Sequence, residues 1–251
     1  MTVVAIVQAR MNSSRLPGKV LKPLAGMPVL GHVVERLSYC RLVDSIVVAT
    51  SLEASDDIIE VYCEEMNVKV FRGSLDDVLD RYYQAAQIYE ADSIVRITAD
   101  CPAIDPVIVD AVITGFLSGN YDFYGLGGEF PDGLDCSVFA FSAIERAWRE
   151  ASLKSEREHV GPYIENNPDL FRNGSLNIFN GLSNQRWTLD EYDDYRLLTK
   201  IFEKLYRKNS PFMTHQVLNL LKAEPSLYSI NNGITRNEGY INSLIDEGTV
   251  K

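Results

Sequence analysis

The first half of the chain alternates between two hydrophobic periods, and that alternation constrains the fold more than any other feature. Val3–Val7 is a short apolar run, the pattern of a buried parallel strand. Val29–Leu37 then places Leu30, Val33, Val34 and Leu37 on one helical face. The pair repeats. Ser45–Ala49 reads as a strand, followed by a helix that Ser55 can cap, with Ile58, Ile59 and Tyr62 inward. Val68–Phe71 is a third strand, and Ser74 opens a helix with Val78, Leu79, Tyr82 and Ala86 inward. Ser93–Ile97 is a fourth strand, and Pro106 stands where a proline is favoured in the first helical turn. Strand and helix in strict alternation predict a parallel sheet covered on both faces and joined by right-handed crossovers.

The second half is more mixed. Tyr121–Phe123, Cys136–Phe141, Leu176–Phe179 and Arg186–Leu189 read as strands, and Ser142–Ala151 and Val160–Asn166 as helices. Leu197, Leu198, Ile201, Phe202 and Leu205 form one helical face, and Val217, Leu218 and Leu221 another. No Pro/Gly/Ser linker divides the chain, so residues 1–251 are expected to form one domain. A helical C-terminal segment is expected in about 191–251. The net charge of −11 argues against nucleic-acid and membrane-surface partners. No run approaches the ~20 apolar residues of a membrane span, and the apolar start is too short for a signal peptide. Cys40, Cys63, Cys101 and Cys136 are widely spaced and read as reduced, mostly core residues of a cytoplasmic protein.

Against this acidic background the stretch VQARMNSSRLPGKVLKPLAG, Val7 to Gly26, gathers Arg10, Arg15, Lys19 and Lys22. It follows the first strand, and ligands of open α/β sheets bind beyond the carboxyl ends of the strands. Neither glycine-rich phosphate motif is present. Even so, two arginines can fork onto phosphate oxygens, Lys19 supplies a point charge, and Ser13 and Ser14 can donate hydrogen bonds. The other reading is a solvated basic loop. On the phosphate-binding reading too the loop is expected to be exposed, so that replacing Arg15 or Lys19 would weaken turnover or ligand binding but barely change stability without ligand. The same strand-end rule collects Ala9, Thr50, Arg72 and Ser74, Thr98 and Asp100, and the late Asp190.

QARMNSSRLPGKVLKPLAGMPVL resembles the N-terminal signature of the cytidylyltransferases that make CMP-activated sugar acids. VVATS, FRGSLDDVLDRY and VRITADCPAIDP extend the resemblance. FPDGLDCSVFAFSAIERAW, EREHVGPYI and RWTLDEYDDYRLL resemble the spore coat polysaccharide biosynthesis protein F branch. The resemblance runs from Val3 to about Phe202 and implies a Rossmann-like, mostly parallel sheet with helices on both faces. It implies transfer of CMP from CTP to a small anionic acceptor such as a sugar acid, with Mg²⁺, in a homodimer. Carried over by position, Arg10, Arg15 and Lys19 would hold the triphosphate, with Ala9, Ser14 and Thr98 beside them. Thr50, Arg72 and Ser74 would lie near the cytosine or ribose. Asp100 and Asp190 would hold the metal, and Arg15, Lys19 and Asp100 would be the catalytic groups. PDGLD, with Asp132 and Asp135, would face the acceptor, and acceptor-binding and dimerisation elements would lie in about 120–180.

The residues fit such chemistry, because nucleotidyl transfer needs positioning and charge neutralisation rather than a protein nucleophile. Each assignment has a structural counterpart. Asp100 and Asp190 could simply cap a turn and a helix. Asp132 and Asp135 sit in a Pro-Asp-Gly turn. Glu158 and His159 could orient the acceptor, act as base, or be structural. The acids of DEYDD suit either a second metal or a helix start. Two further classes stay open: another nucleotidyltransferase or a nucleotide-sugar glycosyltransferase on a similar sheet, and a non-catalytic nucleotide-binding module.

Overall fold

The structure is a computed structural model and describes residues 1–248. β1 (Val3–Gln8) leads through the basic loop to a two-residue hairpin, β2 (Pro23–Leu24) and β3 (Met27–Pro28), and then to α1 (Val29–Leu37). The alternation continues through β4 (Ser45–Ser51), α2 (Asp57–Glu65), β5 (Lys69–Gly73), α3 (Val78–Ile88), β6 (Ser93–Thr98) and α4 (Pro106–Leu117). Next come β7 (Phe123–Leu126), β8 (Ser137–Ala140), α5 (Phe141–Glu150), α6 (Lys154–His159), α7 (Pro162–Glu165) and β9 (Asn173–Leu176). Four helices follow: α8 (Tyr192–Leu205), α9 (Thr214–Ala223), α10 (Pro225–Tyr228) and α11 (Glu238–Asp246). Residues 249–251, the end of the segment expected to be helical, lie outside the described residues.

One seven-stranded sheet runs in the order β5-β4-β1-β6-β8-β7-β9. β5, β4, β1 and β6 are mutually parallel, and β8 is antiparallel to both β6 and β7. β1, at the centre of the parallel part, is buried on both faces, which is why it reads as an unbroken apolar run. Val3, Ala5 and Val7 meet α1, α4 and α8 on one face, whereas Val4 and Ile6 meet α3 and α5 on the other. Among the described residues no helix is long and apolar enough to cross a membrane. All four cysteines are free and buried.

The first-half expectations match the elements closely, with shifts at two helix starts. Asp56, not Ser55, stands immediately before α2, and Ile58 is 53% exposed instead of inward. α3 begins at Val78 because Asp77 caps it by accepting from the Asp80 N–H, while the Ser74 hydroxyl accepts from Asp77 one turn earlier. Val160 has a positive φ (71°) that ends α6, so the expected Val160–Asn166 helix is reduced to the four residues of α7, Pro162–Glu165. Arg186–Leu189 is not a strand. Its Trp187 N–H bonds Asp132 and its Leu189 N–H bonds Asp100, so it ties two loops together rather than pairing along one neighbour. Trp187 itself is fully buried.

This tie positions Asp190, and Gly133 permits it. Gly133 has φ +102°, and a Cβ there would stand 2.5 Å from the Trp187 carbonyl carbon and 2.6 Å from the Thr188 nitrogen. Gly133→Ala should therefore cost at least about 2 kcal/mol, from backbone strain plus overlap with main chain that cannot swing aside. Urea denaturation checks this, and a wild-type midpoint would show that the two segments are not in tight contact.

Candidate active site

Beyond the carboxyl ends of β1 and β6 lies a cleft of about 480 Å³. Ala9, Arg10, Ser14, Arg15 and Lys19 line it from the loop after β1. Thr98 and Asp100 line it from the end of β6, Asp190 from the segment before α8, and Glu158 and His159 from the end of α6. The loop is shaped by its own backbone. The N–H groups of Ser13 and Gly18 both bond the Met11 carbonyl, and Gly18 supplies the left-handed turn (φ 69°) that precedes Lys19. Asp56 anchors the loop from outside by accepting from the Met11 N–H at 2.7 Å.

Lys19 holds the centre. Its ammonium donates to Asp100 Oδ2 at 2.5 Å and to Asp190 Oδ1 at 2.7 Å. The second oxygen of Asp190 pairs with Arg15 at 3.1 Å and Arg186 at 2.9 Å. Arg186 also pairs with Asp132 at 2.6 Å and Asp194 at 3.0 Å. Asp194, fully buried, accepts from the N–H groups of Asp190 and Glu191 and so caps α8. Neither Asp100 nor Asp190 accepts a backbone N–H among the described residues, so the capping explanation for these two does not hold. Burial works against the charge of Lys19, but Asp100 and Asp190 outweigh it and carry its pKa above the ordinary value. Burial likewise works to raise Asp190, yet Lys19, Arg15 and Arg186 prevail and bring it down to about 2.

The other expected residues divide. Thr50 is buried and donates its hydroxyl to Asp56, Arg72 pairs with Asp57 at 2.7 Å and Glu60 at 2.9 Å, and Ser74 is spent on Asp77. These three belong to the outer strands β4 and β5 and their turns, and they do not line the cleft. Asp132 faces Arg186 rather than a free surface, and burial with the neighbouring Asp135 pushes its carboxyl up to about 7 against the pull of Arg186 and Arg236. Asp135 closes the Pro-Asp-Gly turn by accepting from the Gly133 N–H at 2.9 Å. The acids of DEYDD act as a helix start: Asp194 caps and Asp193 pairs with Arg196. Among the described residues no group of three or more His, Cys, Asp and Glu side chains is arranged to hold a metal.

Two contributors were not legible in the sequence. Arg186 is a buried hub for three carboxylates: Asp190 and Asp194 follow it closely in sequence, but Asp132 lies 54 residues away. α11 brings Glu238 and Asn242 to the cleft. Glu238 pairs with Arg15, and Ser243 bonds His159 Nε2 at 3.1 Å. Nothing in residues 230–248 carries a motif that could have announced this.

A mostly parallel sheet with a basic loop and two carboxylates at its carboxyl edge defines a Rossmann-like fold of the nucleotidyltransferase type. The sequence profile described as cytidylyltransferase matches residues 4–229. The chain is 36% identical to an uncharacterized protein, MJ1063, of Methanocaldococcus jannaschii, over 93% of this chain and 96% of that one. It is 34% identical to the spore coat polysaccharide biosynthesis protein SpsF of Bacillus subtilis, over 80% and 87%. It is also 34% identical to 3-deoxy-manno-octulosonate cytidylyltransferase 2 of Hydrogenovibrio crunogenus, over 59% and 56%. A solved cytidylyltransferase from Leptospira borgpetersenii superposes with a TM-score of 0.88 at 34% identity, covering 94% of this chain and all of that one. The chain belongs to the cytidylyltransferase family.

The paired geometry overturns the expectation that the loop cations are dispensable for stability. Lys19 is only 9% exposed, and Lys19→Ala would leave two part-buried carboxylates facing one another. A loss of about 3 kcal/mol in chemical denaturation without ligand is expected; an unchanged midpoint would restore the exposed-loop reading. Asp190 makes a separate prediction. Its folded pKa, about 2, lies below the ordinary 3.8, so the unfolded chain takes up this proton first as pH falls. Its contribution is full above about pH 4 and fades towards about pH 2. Denaturation midpoints of wild type and Asp190→Asn should therefore separate above about pH 4 and converge in acid. Parallel profiles would contradict the pairing.

Proposed function

We propose that this chain transfers the CMP group of CTP to a sugar acid or related small anionic acceptor, releasing pyrophosphate, in synthesis of a surface or spore coat polysaccharide. The observation that carries the reading is the convergence of Arg10, Arg15 and Lys19 with Asp100 and Asp190 in one cleft at the carboxyl ends of β1 and β6. Three cations suit a triphosphate, and in its absence Asp100, Asp190 and Glu238 occupy two of them, Arg15 and Lys19. A triphosphate entering the cleft would draw Arg15 and Lys19 onto its oxygens and release the carboxylates.

Asp100 and Asp190 fit Mg²⁺. Both reach the same ammonium, at 2.5 and 2.7 Å, so they face one point charge. A hard divalent cation takes one or two carboxylates and completes its shell with phosphate oxygens and water. Its chemistry there is charge neutralisation on the phosphorus under attack. In the reaction the acceptor hydroxyl oxygen attacks the α-phosphorus, the bond to the β-phosphate oxygen breaks, and pyrophosphate leaves. The hydroxyl proton passes to a base on the cleft wall. His159 suits that role: burial, with the positive charge of Arg96 and Arg10, holds its pKa below the ordinary value despite Glu158, so the imidazole is neutral near pH 7. CTP as substrate implies a cytoplasmic enzyme, and the family resemblance a homodimer.

With Mg²⁺, CTP should raise the melting temperature more than UTP, GTP or ATP. Asp100→Asn and Asp190→Asn should each nearly abolish pyrophosphate release while CTP binding without metal survives. The double variant should be little worse than either single one, because the two carboxylates act as a unit. Equal melting shifts for all four nucleotides would sink the cytidylyl assignment, and near-normal rates in both Asn variants would sink the metal assignment.

A further inference from the structure

Arg96 is a cation with no hydrogen-bond or ion-pair partner among the described residues. It lies on β6, where the two-residue period puts it on the same face as Ile94 and Thr98. Ile94 belongs to the core that packs with α3 and α5, and Thr98 lines the nucleotide cleft. Arg96 thus emerges where core gives way to cleft. It is half-buried, its guanidinium forms no ion pair or hydrogen bond with any described residue, and its Nε is buried without an acceptor. Arg186, also buried beside the site, is matched by three carboxylates. A half-buried guanidinium whose Nε is shut off from water without an acceptor carries part of that desolvation cost, and an anionic ligand would offset it.

Arg96 opens into a second cavity of about 410 Å³, lined also by Ser137, Asn166, Asn237 and Tyr240. His159 lines both this cavity and the nucleotide cleft, so one imidazole stands at the boundary. The two carboxylates on the wall do not neutralise Arg96. Asp135 accepts from Gly133 and pairs with Arg236 at 3.3 Å. Glu165 is not within ion-pair distance, and burial raises its pKa despite the nearby Arg96.

We infer that this cavity is the acceptor site and that Arg96 receives the acceptor's carboxylate, making it the residue that selects acidic over neutral sugars. The inference rests on the cytidylyltransferase reading above and deepens it. A guanidinium fork matches a carboxylate through two parallel hydrogen bonds. One unmatched cation suits one negative charge; a phosphate ester, with about two, would meet Asp135 and Glu165 as well. The amide and hydroxyl groups of Asn166, Asn237 and Ser137 are the right chemistry for sugar hydroxyls. With its carboxylate on Arg96, an acceptor would reach past His159 towards the α-phosphate, with its attacking hydroxyl beside the proposed base. Arg96 itself takes no part in bond making.

The test compares wild type, Arg96→Ala and Arg96→Lys, using CTP, Mg²⁺ and two probe sets. The acids are 3-deoxy-manno-octulosonate, N-acetylneuraminate and glucuronate; the neutral sugars are mannose, N-acetylmannosamine and glucose. Pyrophosphate release and melting temperature with and without CTP are measured. Wild type should use at least one acid and none of the neutral sugars. Arg96→Ala should raise the KM for that acid about 10- to 100-fold, as loss of a charge-assisted contact implies, with the CTP melting shift retained. Arg96→Lys should recover part of the loss. Without ligand, Arg96→Ala should melt no lower than wild type, because it removes an unmatched charge, whereas a structural arginine would leave the variant less stable. An unchanged KM in Arg96→Ala, neutral sugars used as well as acids, or no acid accepted would each overturn the assignment. If wild type shows no CTP melting shift, the cytidylyl reading itself falls; an intact shift with unaltered acceptor kinetics removes only the role of Arg96.

Discussion

The ammonium of Lys19 lies within hydrogen-bond distance of Asp100 and Asp190, residues 81 and 171 positions further along the chain. Much else in the cleft follows from that contact. It draws the loop after β1 down onto the sheet edge and brings together carboxylates that would otherwise repel one another. It also leaves a cluster of balanced charge where a triphosphate and a metal could exchange partners with the protein. Ion pairs of this kind contribute little when exposed, but here the three side chains are one-fifth exposed or less, and removing one partner strands the others.

Behind this contact stands Arg186. It fixes Asp190 from the far side and links it to Asp132 and Asp194, and Asp194 in turn caps α8. The orientation of Asp190 therefore depends on a buried network, itself held by the close approach of Gly133 to Trp187. Satisfied networks of this sort specify one arrangement, whereas half-satisfied ones are costly. α11 adds a cover, with Glu238 on Arg15 and Ser243 against His159.

Legibility in the sequence followed the range of the interactions concerned. β1, β4, β5, β6, α1 and α4 were readable because hydrophobic period is local and each element buries its own apolar face. The loop cations, Asp100 and Asp190 were readable because strand ends in a parallel sheet share one edge. Thr50, Arg72 and Ser74 sit at strand ends too, yet β4 and β5 lie to the outside of β1 and their polar groups close the local turns. The position of a residue at a strand end says which edge it occupies, not whether its side chain is free. Arg186–Leu189 looked like a strand because Trp187 and Leu189 alternate with polar residues, but the alternation reflects burial between two loops.

By itself the sequence determined the alternating architecture, the location of the basic loop and the identity of the two carboxylates. Those properties are carried by contiguous residues and by the handedness of strand–helix units. Only the tertiary structure decided that Lys19 is buried between those carboxylates, that Arg186 supports one of them, that α11 reaches the cleft, and that Arg96 has no partner among the described residues. Each of those facts is a statement about which charges end up near one another. In a chain with 24 basic and 35 acidic residues the possible pairings are many, and packing alone selects among them.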